Sequence, residues 1–212
     1  FTPGQPWTVP TGSLEMLWCE PGTFMMGSLE SEEGRKDDET RHQVTLTKGF
    51  YLGKYEVTQA QWKKVMGASP SKFFGENRPV EQVSWSDAVR FCQELTLTER
   101  KAGRLPDGWE YTLPTEAQWE YAARAGSITA YWWSKNLGIN QAACQNCGSI
   151  YDGEKTAPVG SFSPNAFGLY DTAGNLWEWT QDCYLADAYK NHPYNFFILN
   201  PLVLIVGISF FL

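Results

Sequence analysis

The sequence predicts an α+β domain with few short helices and strands joined by long ordered loops. Three observations carry that expectation. Three segments open with a Ser/Thr cap and run only a few turns, one region alternates apolar and polar residues like a strand pair, and residues 127–182 hold turns, glycines and aromatics but no long periodic run. At 212 residues the chain is long enough for one domain with a real core. Ordered loops of such length in a compact domain are usually functional.

Residues 1–14, with Pro3, Pro6 and Pro10, read as an extended lead-in, residues 15–184 as the domain, and residues 185–212 as an atypical apolar tail. Cys19 to Gly27 is apolar and ends in a Gly-Ser turn. Glu30 to Arg41 carries six acids and three bases and reads as a solvated loop. His42 to Thr58 looks like a pair of strands: Val44 and Leu46 alternate, Lys48-Gly49 punctuates, then Phe50, Leu52, Tyr55 and Val57 resume. Thr58-Gln-Ala-Gln61 has the capping-box form, with Gly67 to close that helix. Ser84 or Ser86 can cap the second helix, which sets Ala88, Phe91, Cys92 and Leu95 on one face. Thr115-Glu-Ala-Gln118 opens a third, which presents Trp119, Ala122 and Ala123 before Gly126. No internal repeat is present.

Net charge of −7 and a pI near 4.9 argue against nucleic acid, whose binders carry basic patches. No Lys/Arg cluster exceeds two residues, so an anionic membrane surface has nothing to hold. Ten tryptophans suit either a loop-rich core resting on large rings or a surface that recognises sugars or peptides. The chain starts at Phe1 with no charged-then-apolar leader in view. Five cysteines are an odd number and too few for a disulfide scaffold; this leaves the compartment open, with an extracytoplasmic or secreted setting the expectation.

The stretch from Thr156 to Asp182, TAPVGSFSPNAFGLYDTAGNLWEWTQD, is the most informative. Its glycines and asparagines permit left-handed backbone, and its aromatics bury enough area to hold an irregular loop still. Asp171 and Glu178 bracket a turn whose carbonyls at Gly174 and Leu176 can face the same way. Alternating side-chain and main-chain oxygens suit a hard cation such as calcium. The competing reading has Asp171 capping a turn and Glu178 pairing with a base.

Cys144-Gln-Asn-Cys147 invites a zinc reading, but the remaining candidate ligands (Cys19, Cys92, Cys183, His42, His192) are scattered, which favours a local disulfide or a free thiol pair. Cys92 reads as core. The two histidines stand 150 residues apart without a serine elbow, so a nucleophilic triad has no support; His42 reads as a loop histidine bonded to backbone.

Taken in order, the blocks Pro21-Gly-Thr-Phe-Met-Met-Gly-Ser28, Phe50-Tyr-Leu-Gly-Lys-Tyr-Glu-Val-Thr58, Pro79-Val80 with Val83-Ser-Trp-Ser-Asp-Ala88, Leu113-Pro-Thr-Glu-Ala-Gln-Trp-Glu-Tyr-Ala-Ala-Arg124 and Asn165 to Trp179 resemble the formylglycine-generating enzyme, or sulfatase-modifying factor, family. The resemblance covers about Leu14 to Tyr184. It implies a fold related to C-type lectins, with structural calcium bracing the loops. Asp171, Gly174, Leu176 and Glu178 look like one of the family's calcium sites. A second is similar to Asn140 and Asp152 by side chain, with carbonyls near Gln141 and Glu154. Active members oxidise a cysteine in a Cys-x-Pro-x-Arg segment of a sulfatase, using dioxygen and copper held by two thiolates, a sound pairing of soft ligand and Cu(I). Those cysteines follow the Trp-Glu-Trp motif by way of an Arg-Gly-Gly-Ser block, and neither that block nor a later cysteine appears in this sequence. Cys183 lies ahead of that region.

The resemblance thus implies two functions: oxidation of a peptide cysteine or related thiol, or a non-catalytic, calcium-stabilised module binding protein, peptide or glycan, with Trp132 and Trp133 as candidate contacts. A third expectation is a domain attached by its tail to a larger enzyme or a membrane complex. Phe196 to Leu212 is borderline for a membrane span, with Asn200 and Pro201 inside it. Leu202-Val-Leu-Ile-Val206 has the composition of a buried strand, and a strand-like segment completing the core is the favoured reading.

Overall fold

Gly12 and Ser13 both take positive φ, 81° and 54°. The chain therefore reverses after β1 (Trp7–Val9) and lays β2 (Leu14–Cys19) antiparallel against it, Trp7 opposite Met16. The computed structural model describes Thr2, residues 4–185, Tyr189 and the backbone of three strands beyond them. The extended lead-in thus carries a strand of the main sheet, with Val9 fully buried.

β3 (Gly22–Met26) pairs antiparallel with β4 (His42–Leu46), while β5 (Phe50–Gly53) returns to β2. The two strands expected between His42 and Thr58 both form, yet they lie in different sheets. The switch is at Gly49, where a Cβ would stand 2.1 Å from Cζ2 of Trp18: the chain crosses directly over that indole, and no side chain fits. Gly49→Ala is expected to destabilise the fold by about 2 kcal/mol through overpacking, read as a lower urea midpoint at unchanged slope. The later alternation at Tyr55 and Val57 does not extend β5, which stops at Gly53. Val57 is instead held by a backbone bond from Val80 to its carbonyl.

All three helices start at the expected caps. α1 (Gln59–Met66), α2 (Trp85–Lys101) and α3 (Glu116–Arg124) open with full capping boxes at Thr58, Ser84 and Thr115. Gly67 closes α1 at φ 90°, and Ala125 closes α3 in the left-handed region, one residue before the glycine expected to do so.

β6 (Trp109–Thr112) completes the five-stranded order β1-β2-β5-β9-β6, in which β9 (Leu202–Ile205) runs parallel to both β5 and β6. β8 (Phe196–Ile198) joins β3 and β4 in a three-stranded sheet, and β7 (Trp177–Glu178) pairs with β10 (Ser209–Phe210). The strand expected at Leu202–Val206 therefore forms over Leu202–Ile205 in the middle of the main sheet; Val206 lies outside the described residues. Among the described residues no helix is long and apolar enough to cross a membrane.

One core cluster gathers Met16, Tyr51, Trp62, Phe91, Leu95 and Trp109 between the main sheet and helices α1 and α2, with Trp62 stacked on Phe91 at 5.0 Å. A second gathers Met26, Val44, Leu46, Phe50, Ala117, Ala122 and Leu169 around β3, β4 and α3. The aromatic-rich loop of residues 156–182 is anchored on this second cluster through Leu169.

Candidate metal centre and the surrounding clefts

Asn165 fastens the loop to α3. Its Oδ1 accepts from the amides of Phe167 (2.9 Å) and Leu169 (3.2 Å), and its Nδ2 donates to the carbonyls of Ala122 (2.8 Å) and Ala123 (3.1 Å), which lie at the end of α3. Those are the carbonyls a helix end leaves unpaired. Tyr170 then donates its amide to the Lys54 carbonyl, and the chain turns at Asp171 with φ 56°. Gly174 (φ 93°) passes so close to Ala143 that a Cβ would meet the Ala143 carbonyl at 2.7 Å, and the Asn175 amide donates to that same oxygen. Only glycine serves there.

Asn175 (φ 63°) is the second clamp. Its Oδ1 accepts from the Ala157 amide at 2.8 Å, and its Nδ2 donates to Glu56 Oε2 at 2.6 Å. Glu56 is buried, so a charge-assisted bond ties β5's outgoing chain to the loop.

Between these clamps sit the two carboxylates expected to hold calcium. Asp171 is 8 % exposed; its Oδ2 accepts from the Gly160 amide at 2.7 Å, and its Oδ1 is buried with no hydrogen-bond donor. The hydroxyl of Thr172, next along, is also buried without a partner. Burial pushes the Asp171 carboxyl up to about 6, against the pull of the Gly160 amide. Glu178 lies on β7 and is raised further, to about 7: burial of its carboxyl is the main cause, the indole N–H of Trp119 opposes it, and the charge of Asp171 adds to it. The two carboxylates thus share one electrostatic environment. Two desolvated acids, the charge of Asp171 raising Glu178 and one Asp171 oxygen lacking any donor, make a pair that a hard divalent cation would satisfy. Carbonyls of Gly174 and Leu176 stand between them in sequence; the former already accepts from the Leu176 amide at 2.9 Å. Among the described residues no three His, Cys, Asp or Glu side chains gather to hold a metal, so the remaining ligands of such a cation would be main-chain oxygens and water. That donor set suits calcium and does not suit zinc.

Of the two indoles in the Trp-Glu-Trp motif, only one packs inward. Trp177 is 64 % exposed, whereas Trp179 donates its N–H to the Val83 carbonyl at 3.2 Å and rests on the first core cluster. Sequence reasoning overlooked Trp119 and the Gly160 amide as partners of the two acids. Trp119 was legible as a residue of α3, but its N–H reaches Glu178 only through the packing of two segments 59 residues apart.

The second predicted set lies in the loop around the Cys144–Cys147 disulfide. Asp152 accepts from the amides of Cys147 (3.3 Å) and Gly148 (3.1 Å), one on each oxygen, and Asn140 donates its amide to the Cys147 carbonyl. Asn140, Gln141 and Glu154 are exposed. Here the carboxylate's first task is to close the disulfide loop. Trp132 and Trp133 are half-buried and meet edge to face at 5.2 Å; the N–H of Trp133 goes to the Leu137 carbonyl.

A copper site finds less support. Free cysteines among the described residues are Cys19, Cys92 and Cys183. Cys19 and Cys92 belong to different core clusters, and burial pushes both thiols up, Cys19 to about 12. Only Cys183 is exposed, so these residues do not form the two-thiolate ligand set that Cu(I) requires. His42, expected in a loop, is instead the first residue of β4, buried, with Nδ1 2.8 Å from the Thr40 carbonyl and its ring stacked on Tyr189.

Residues 5–205 match the model of the sulfatase-modifying factor enzyme 1-like domain. A chaperone protein, LppX, from Paenibacillus barcinonensis is 34 % identical over 80 % of this chain and 71 % of its own length. The formylglycine-generating enzyme of Streptomyces coelicolor is 37 % identical over 65 % of this chain, and that of Mus musculus 34 % over 66 %. This chain spans 42 % and 36 % of those two enzymes. In three dimensions it is similar to PvdO of Pseudomonas aeruginosa, with a TM-score of 0.74 and 27 % identity over 95 % of this chain and 84 % of that one. Treponema denticola variable protein 1 superposes with a TM-score of 0.69 and 26 % identity, over 85 % and 77 %.

Proposed function

The chain belongs to the sulfatase-modifying factor enzyme 1-like family, and from that premise we propose that it is a calcium-braced domain that binds a protein or peptide segment. One observation carries the calcium part: the buried Oδ1 of Asp171 has no donor, and the charge of that carboxylate acts on Glu178. When bound, the ion would neutralise both acids and tie the turn at Gly174 to β7. A peptide partner is the substrate class that the resemblance to formylglycine-generating enzymes implies, and the clamped loop provides a rigid frame for it. Oxidation of a peptide cysteine stays outside this reading, because the described thiols do not assemble a copper site, and no step is derived through that metal.

The test selects displayed random peptides on the calcium-loaded protein and elutes them with EGTA. Enriched peptides that bind the purified protein more weakly in EGTA are expected; failure to enrich any peptide would sink the reading. Calorimetry with calcium alone tests the brace separately and should give about one ion at the Asp171 site.

A further inference from the structure

The outer edge of β3 is the strongest feature that the calcium site leaves unexplained. In the order β3-β4-β8 this strand is terminal, so one side of its backbone faces away from the sheet. The parity can be read from its neighbours. Thr23 lies opposite Thr45 with their hydroxyls 2.9 Å apart, the close approach of a non-hydrogen-bonded antiparallel pair. Past the strand's end, the amide of Gly27 donates to Glu120 Oε1 (2.8 Å) and its carbonyl accepts from Arg124 Nη2 (2.9 Å), both on α3 and outside the sheet. Both facts place the N–H and C=O groups of Thr23, Met25 and Gly27 on the outer side. Side chains of α3 satisfy the Gly27 pair, and no strand among the described residues pairs with Thr23 and Met25 from outside.

A groove of about 370 Å³ runs along this open stretch. Four consecutive residues, Gly22 to Met25, line it, as they must if it follows the backbone edge and not one face of the strand. One side of it is aromatic: Phe24 of β3 meets Tyr121 at 5.4 Å, and Tyr121 meets Phe167 at 5.6 Å. At its lip Ile128 is 76 % exposed and Leu29 44 % exposed. Arg41, exposed and in none of the ion pairs among the described residues, also lines it.

We propose that this groove binds an extended peptide segment as an added strand on β3. Backbone bonds to Thr23 and Met25 would hold it, alternate apolar side chains would rest on the Phe24–Tyr121–Phe167 wall and Ile128, and an acidic residue would meet Arg41. The volume lies within the range of about 300–1,000 Å³ usual for ligand sites. This inference rests on the peptide-binding reading above and names its surface.

The experiment measures fluorescence anisotropy of a labelled Ser-Val-Thr-Val-Glu-Glu peptide on the calcium-loaded protein. Saturable binding is expected. It should be abolished when alternate peptide nitrogens are methylated, which leaves the protein untouched. It should weaken about tenfold in Met25→Pro, whose missing N–H faces the groove and breaks no rung to β4, and severalfold in Arg41→Glu. Indifference to N-methylation and to Met25→Pro would overturn the proposal. Peptides recovered by display that bind in spite of both changes would refute the groove yet leave peptide binding standing, whereas recovery of none would end the broader reading. Self-association without peptide, lost in Met25→Pro, would give the edge to a second copy of the chain and also refute it.

Discussion

Asp171→Ala is expected to abolish the stabilisation that the proposed calcium ion would give this domain, while changing the calcium-free protein far less. A ligand present at a thousandfold excess over its dissociation constant stabilises the native state by about 4 kcal/mol. For a chain of this size that is a rise in melting temperature of roughly 10 °C. The variant should show none of it. In EGTA the alanine removes a carboxylate whose burial is unfavourable, as its raised pKa states, but gives up the bond from the Gly160 amide and the tolerance of φ 56°. The gain opposes two losses, and the net change is small beside the calcium effect. Asp171→Asn keeps an acceptor for that amide and tolerates the left-handed backbone, and it should retain a weakened calcium response. Equal calcium shifts in Asp171→Ala and the parent, by differential scanning calorimetry, would remove the ion from this site.

The same carboxyls fix the pH dependence. Asp171 and Glu178 have folded-state values raised to about 6 and about 7, whereas unfolded carboxyls titrate near roughly 4. The calcium-free fold therefore holds its protons longer than the unfolded chain does. Its stability from these groups is greatest below about pH 4 and is lost as the pH climbs through the folded values. Calcium must displace the protons, so its affinity should rise between about pH 5 and 8 and level off above. Calorimetry at stepped pH reads this directly; a flat affinity across that window would mean that other oxygens hold the ion.

Much of this architecture was legible because its signals are local. Capping boxes at Thr58, Ser84 and Thr115 are four-residue patterns, and all three open helices. The turn bracketed by Asp171 and Glu178 was legible because left-handed positions call for glycine, asparagine or aspartate, and Asp171, Gly174 and Asn175 all have positive φ. Partner choice was not legible. β4 and β5 read as one pair, and only the approach of Gly49 to Trp18, a contact across 31 residues, shows why they part. The same limit hid Trp119 from Glu178 and Glu56 from Asn175. Spacing in sequence carries no record of which distant segment meets which.

Asn175→Ala is expected to cost the fold about 3–5 kcal/mol, at least about a fifth of the 5–15 kcal/mol usual for a domain. Three losses combine. The Ala157 amide loses its acceptor, buried Glu56 loses a donor at 2.6 Å, and alanine takes the place of a residue that tolerates φ 63°. Asn175→Asp separates the charge effect from the geometry. It keeps the left-handed preference and the acceptor for Ala157 but sets a carboxylate against the Glu56 carboxylate, and two acids so close cannot both ionise. That variant should be the less stable of the two at neutral pH and should recover as the pH falls, when one proton can bridge the pair. Urea denaturation of both variants at pH 5 and pH 8 decides it. If Asn175→Asp shows no such recovery, the bond to Glu56 is not what holds the loop to β5.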